Sequence, residues 1–180
     1  MHGAPQLLDT QGARHSLALT LAQFNALVDD HGPAMFRVAY RMVGDRHEAE
    51  DMVQEAFRSA WKSRDAYQEG RGDRAWLASI LRRRVVDRWR KSGPLSVVSG
   101  EGREPGVKAV DPLAGDYTDE MQYALSQLPE ELRETLLLVV VGELTHQEVA
   151  DMLEIPLGTA LSRVSRARRR LRDVLVGIKT

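Results

Sequence analysis

The sequence predicts an all-α fold of two small helical domains joined by a flexible linker, with a helix-turn-helix in the second domain. Apolar residues recur at spacings of three and four in both halves of the chain, the period of an amphipathic helix. No stretch shows the two-residue alternation of a strand. Between Ser92 and Tyr117, eight glycines and prolines fall within 26 residues that lack any helical apolar period. That composition is typical of a linker.

These observations divide the chain into four segments. We expect a flexible N-terminal arm over 1–18 and a first helical block over 19–91. The linker covers 92–117 and a second helical block covers 118–180. Each block has the size of a small helical domain.

In the first block, Thr20 and Gln23 form a capping-box pattern at the start of a helical apolar period. The period continues past Gly32-Pro33 and stops at Gly44, and Asp45 then caps a second helix. A polar loop separates that helix from a third over about 74–91. Phe57 and Trp61 lie on the apolar side of the second helix, which predicts that both pack in the core.

Composition limits the possible functions. The 180 residues contain no cysteine, which excludes disulfides and thiolate metal sites. The five histidines are scattered without metal-ligand spacing, and no phosphate-binding glycine loop or catalytic triad is visible. We therefore expect no cofactor, no metal and no enzymatic activity. No apolar run approaches the roughly 20 residues of a membrane span, and the first residues do not resemble a secretory signal, so we expect a cytoplasmic protein without membrane insertion.

The charge is distributed unevenly, although the formal net charge of the chain is only −1. Residues 74–91 carry +6, residues 118–154 carry −8, and residues 155–180 carry +6. Charge alone does not distinguish solvated helix faces from binding surfaces. The acidic stretch would repel DNA, so it faces a basic partner or screens the free chain. We therefore expect the isolated chain to bind DNA weakly.

The second block contains the pattern of a helix-turn-helix. A capping box at Thr145 and Glu148 starts a short helix, a tight turn follows at Glu154–Pro156, and a second helix opens near Gly158. At 100° per residue, one side of this second helix is an apolar stripe. The opposite side, here called the arginine face, consists of Ser162, Ser165, Arg166 and Arg169.

Small hydroxyls beside long guanidinium groups suit a helix that lies in the major groove of DNA. The flanks of the arginine face carry Arg163, Arg168, Arg170 and Arg172, where contact with phosphates is the natural role, and Thr159 is a further candidate for DNA contact. The alternative is an amphipathic surface helix with an arginine-rich outer side.

A second surface lies on the helix that follows Asp45. Glu48, Asp51 and Glu55 recur at spacings of three and four, and Gln54 lies beside Asp51. We call these four residues the acidic face. A carboxylate stripe of this kind either docks a basic partner helix or is simply solvated.

The second block resembles the fourth domain of an extracytoplasmic-function (ECF) sigma factor of the sigma-70 family. The resemblance rests on Leu128-Pro-Glu-Glu-Leu-Arg-Glu, Leu144-Thr-His-Gln-Glu-Val-Ala-Asp-Met-Leu and Pro156-Leu-Gly-Thr-Ala-Leu-Ser-Arg-Val-Ser-Arg-Ala-Arg-Arg-Arg-Leu, in that order. In that family the domain binds the −35 promoter element. A basic residue is common in the family where this chain has Leu161, which shifts the expected base contacts to the arginine face.

The first block is similar to the core-binding domain of the same family through Asp45-Arg-His-Glu-Ala-Glu-Asp-Met-Val-Gln-Glu-Ala-Phe. The resemblance implies that Asp51, Gln54 and Glu55 contact the coiled coil of the β′ subunit of core RNA polymerase. The stretch from Trp76 to Lys91 matches the helix used near the −10 element. The −10 candidates are the exposed-side arginines of that helix and three residues of the preceding loop, namely Arg82, Arg83, Arg90, Tyr67 for base stacking, and Gln68 and Arg71 for polar contacts.

Taken together, the resemblance implies a transcription initiation factor that adds no chemistry of its own and is controlled by an anti-sigma factor. Two alternatives remain open on the residues. One is a stand-alone helix-turn-helix regulator that binds duplex DNA without polymerase. The other is an interaction module whose charged helices bind other proteins. Binding to core polymerase distinguishes the transcription initiation factor from both alternatives.

Overall fold

The computed structural model describes residues 19–67, 72–92 and 119–178. Within these ranges the chain forms no strand, and its α-helices are α1 (Leu21–Val43), α2 (Arg46–Lys62), α3 (Asp73–Ser92), α4 (Asp119–Ser126), α5 (Glu130–Val140), α6 (His146–Leu153) and α7 (Leu157–Ile178). The predicted all-α fold is confirmed. The predicted arm, the predicted linker beyond Ser92, and the loop residues Gln68 and Arg71 lie outside the described residues.

Local capping sets where two of these helices begin. The Thr20 hydroxyl accepts from the Gln23 backbone N–H, and the Gln23 side chain accepts from the Thr20 N–H at 3.0 Å. The same reciprocal pair joins Thr145 and Glu148 at the start of α6, with distances of 3.2 and 2.8 Å. Both predicted capping boxes are confirmed. Each satisfies backbone donors that the first helical turn leaves without a partner.

α1 continues through Pro33 without interruption. Proline inside a helix removes one backbone hydrogen bond and costs about 3 kcal/mol. Burial on both sides of the proline offsets this cost, because Phe24 and Leu27 before it, and Met35 and Val38 after it, enter the same core. α1 ends at Gly44, whose φ of +78° is a left-handed conformation that glycine adopts without a Cβ penalty.

α1, α2 and α3 pack against one another to form the first block. The Phe24 ring meets Phe57 edge-on, with 6.4 Å between centroids, and lies 5.1 Å from the Trp61 ring. Both aromatic residues of α2 pack against the buried core, as predicted. The acidic face therefore lies on a helix whose opposite side is firmly anchored.

In the second block, α5 lies at the centre and packs against α7, α6 and also α1. Every residue from Leu132 to Leu138 is buried. α6 and α7 form the predicted helix-turn-helix, and Glu154 closes its turn with a φ of +54°. The contact between α5 and α1 joins both blocks into one continuous hydrophobic core.

Candidate nucleic-acid interface

α7 has one buried side and one exposed side. Ala160, Val164 and Ala167 are at most 3% exposed and pack against the rest of the second block. The four residues of the arginine face, Ser162, Ser165, Arg166 and Arg169, are all exposed. The helix therefore presents to solvent the side chains that the sequence assigned to DNA.

Hydrogen bonds within α7 decide what the arginine face can offer a base. The Ser162 hydroxyl donates to the Thr159 carbonyl at 3.0 Å, so it presents acceptor lone pairs outward. Arg166 Nε donates to the Ser162 carbonyl at 3.4 Å, which keeps the guanidinium beside the serine. The face thus combines an acceptor with a cationic donor group, the two functions that read base edges in the major groove.

The flanking residues of α7 differ in availability. Arg170 is exposed and Thr159 is half-buried. Arg163 forms an ion pair with Glu131 of α5, at 3.0 Å between Nη2 and Oε2. An acid of the second block therefore holds one of the arginines predicted to contact phosphate.

α3 divides its three candidate arginines between two environments. Arg83 and Arg90 are exposed. Arg82 instead points toward the second block, where its Nε lies 2.8 Å from Glu134 Oε1, with the two side chains 28% and 9% exposed. The predicted −10 surface is therefore not a single exposed cluster in this structure, because α5 packs over one of its members.

Glu134 and its neighbour Arg133 are buried charges at the contact between the blocks. Burial raises the pKa of the Glu134 carboxyl, and the nearby Arg82 and Arg163 oppose that rise. Burial likewise lowers the pKa of Arg133, whose guanidinium lies 5.2 Å from the centre of the Trp89 ring. The contact thus joins an ion pair and a cation–π contact between helices of different blocks.

Tyr67 requires a correction. The sequence predicted an aromatic ring available to stack on a base, but the residue is only 7% exposed. Its hydroxyl hydrogen-bonds to Asp73, and its ring packs edge-on against Trp76 at 5.1 Å. Tyr67 ties the loop to the start of α3 instead of presenting its ring to solvent.

The acidic face of α2 is held in place by arginines that the sequence left without a role. Asp51 and Gln54 are exposed, whereas Glu48 and Glu55 are half-buried. Those two glutamates form ion pairs with the neighbouring helix α3, through the pairs Glu48–Arg88 and Glu55–Arg84, the latter at 3.7 Å. Arg58 of α2 also contacts Glu55 and Gln54, both at 3.2 Å.

The sequence did not predict a role for Arg84 and Arg88, because their position on the apolar arc of α3 indicates no ion-pair partner. The one available signal is that these two arginines lie four residues apart on the apolar arc of α3, where acids of a facing helix can pair with them.

Two other kinds of site are not found in the described ranges. No group of three or more histidine, aspartate or glutamate side chains there is arranged to hold a metal ion. None of the helices described is both long and apolar enough to cross a membrane.

The fold and these surfaces define a helix-turn-helix protein with a second basic helix and a separate acidic face. The Sigma-70 region 2 family matches residues 27–94, and the Sigma-70, region 4 family matches residues 118–171. The chain belongs to the sigma-70 family and, within it, to the ECF RNA polymerase sigma factors, which are transcription initiation factors.

Individual relatives support that membership. The ECF sigma factor SigW of Bacillus subtilis is 32% identical over 165 residues, covering 84% of this chain and 88% of SigW. SigE of Mycolicibacterium smegmatis is 33% identical over 161 residues, covering 86% of this chain, while the aligned part spans 62% of SigE. Among solved structures, the sigma factor RpoE of Bartonella quintana, crystallised with the anti-sigma factor NepR, has a TM-score of 0.71 at 29% identity, covering 86% of this chain and 98% of RpoE.

Proposed function

We propose that this chain binds core RNA polymerase through the acidic face of α2 and directs it to promoters through α3 and α7. The observation that carries the proposal is that a chain with both sigma regions exposes an acid-and-amide surface on α2 and, separately, the arginine face on α7. A DNA-binding module alone would need only the second surface.

The polymerase contact rests on Asp51 and Gln54, which are the exposed members of the acidic face. Glu48 and Glu55 are held by ion pairs with arginines of α3. A preorganised carboxylate surface suits docking to a basic helix, because little side-chain freedom is lost on binding. The family resemblance implies that this partner is the coiled coil of the β′ subunit.

The promoter contacts divide between the two blocks. The arginine face of α7 would read the −35 element, with Thr159, Arg163 and Arg170 on phosphates. Arg83 and Arg90 of α3 would contact the −10 region, joined by Arg82 once it is released from Glu134. Gln68 and Arg71 remain candidates of the adjoining loop.

The polymerase would supply the chemistry, so we expect the chain itself to have no catalytic activity and to act in the cytoplasm with the transcription machinery. Control by an anti-sigma factor is also part of the proposal. It is supported by the similarity to RpoE, whose crystal structure contains the anti-sigma factor NepR.

Reconstitution with core polymerase tests the proposed function. The chain and core enzyme together are expected to produce transcripts that start at defined promoters, whereas core enzyme alone gives none. A folded chain that binds DNA but is not retained by core polymerase would instead support the stand-alone helix-turn-helix regulator. A chain that binds neither would contradict both.

The free chain screens part of its own DNA-binding surface. Glu131 and Glu134 are one helical turn apart on α5, and they form ion pairs with Arg163 of α7 and Arg82 of α3. The same acidic helix therefore holds one arginine from each of the two helices proposed to contact DNA. Phosphates must compete with these carboxylates, which supports weak DNA binding by the chain without polymerase.

Glu134→Gln is expected to increase the affinity of the free chain for duplex DNA. The substitution removes one negative charge and frees Arg82 for phosphate, so the plot of log affinity against log salt should become steeper by about 0.9. Fluorescence anisotropy of a labelled duplex at several salt concentrations measures both quantities.

Glu120→Gln, the same substitution at an exposed position of α4, is the matched control and should leave the slope unchanged. If Glu134→Gln binds DNA no better than the wild type, Glu134 does not screen Arg82.

A further inference from the structure

An exposed leucine lies beside the arginine face at the DNA-proximal end of α7. Leu161 is the fifth residue of the helix and is 47% exposed, although its neighbour Ala160 is fully buried. At about 100° per residue, Leu161 lies about 40° around the helix from the exposed Ser165. Single exposed leucines are common on protein surfaces, so its exposure alone means little. Leu161, however, lies among the side chains proposed to contact DNA, so it can contribute to that contact.

The position of Leu161 along α7 brings it to base edges instead of the sugar-phosphate backbone. In helix-turn-helix proteins the N-terminal residues of the recognition helix contact the bases. Ser162, the next residue, and Ser165, one turn further on, are small and exposed, so they do not hold the helix away from the groove. Arg168, two turns beyond Leu161, is exposed on nearly the same side and can reach the phosphates that flank the groove.

The largest apolar group that the major groove offers to such a side chain is the 5-methyl group of thymine. The donors and acceptors of the base edges would instead be desolvated by a leucine that cannot replace their hydrogen-bond partners. We propose that Leu161 selects a thymine in the −35 element by covering its methyl group. This inference rests on the proposed function, since it requires α7 to lie in the major groove of promoter DNA.

The test is a cycle that removes the methyl group and the leucine separately. The holoenzyme, which is the complex of this chain with core polymerase, is bound to a promoter fragment that it protects. In that fragment each thymine of the −35 segment is replaced in turn by deoxyuridine, which lacks only the methyl group. At one position we expect this replacement to lower the affinity of the wild type about fourfold, because the complex then no longer buries one methyl group. Leu161→Ala should bind the thymine and uracil fragments equally well.

Two further variants complete the experiment. Leu161→Met keeps an apolar side chain of similar reach and should retain most of the preference for thymine. Leu21→Ala removes an exposed leucine from α1, where 60% of the residue is accessible, and should keep the full fourfold preference.

The outcomes separate this inference from the proposed function. Methyl dependence that is the same in wild type and Leu161→Ala, or absent at every thymine, would overturn the role of Leu161 while leaving promoter recognition intact. A protected −35 segment without any thymine would do the same. If the holoenzyme protects no −35 segment at all, the proposed function fails together with this inference.

Discussion

Arg166→Ala is expected to weaken binding of the holoenzyme to its −35 element by about 1–3 kcal/mol, with the loss concentrated at one base pair. Arg166 is exposed at the centre of the arginine face, and its Nε is held by the Ser162 carbonyl. A guanidinium presented in this way can pair with the O6 and N7 atoms of guanine. Binding to fragments that carry each single base change in the −35 element would locate the affected position.

Arg170→Ala is the matched control, because it removes the same side chain from the flank of the same exposed helix. It should weaken binding to all sequences about equally and lower the salt slope by about one, since a phosphate contact carries no sequence information. If both variants leave DNA affinity unchanged, the assignment of the arginine face is wrong.

Asp51→Arg is expected to lower the affinity for core polymerase by about 2 kcal/mol or more, roughly thirtyfold. Asp51 is the exposed carboxylate of the acidic face, and a reversed charge there would meet a basic partner helix with repulsion. Titration of labelled core polymerase without DNA measures this affinity. Far-UV circular dichroism and thermal unfolding of the free chain check that the variant is folded.

Asp87→Arg makes the same reversal at an exposed position of α3 and should leave polymerase binding near the wild-type value. Unchanged affinity for Asp51→Arg, or an equal loss in both variants, would mean that the acidic face is a solvated surface.

Local sequence patterns predicted the helices because the responsible interactions are local. The capping boxes at Thr20 and Thr145 join residues three apart, and the burial of Ala160, Val164 and Ala167 follows from helical spacing alone. α7 begins at Leu157, one residue before the predicted opening near Gly158, and continues to Ile178. Helix ends are the least determined feature because fraying and capping differ little in energy there.

Local sequence patterns could not predict the contacts between the two blocks. Arg82 and Glu134 meet only because α5 packs against the first block, and nothing near either residue in the sequence indicates the other. The burial of Tyr67 arises within the first block, where its hydroxyl hydrogen-bonds to Asp73 at the start of α3 and its ring packs against Trp76. Charge patterning nevertheless indicated that the acidic stretch would meet basic groups of this chain or of a partner.

The dependence of promoter recognition on polymerase is tested most directly by comparing the affinity of one promoter fragment for the free chain and for the chain bound to core polymerase, at the same salt concentration. We expect weak binding by the free chain, because acids of α5 hold Arg82 and Arg163 in ion pairs. The complex should bind tightly and protect both the −10 and −35 elements. Equally tight binding by the free chain would show that the acids of α5 do not screen the DNA-binding arginines.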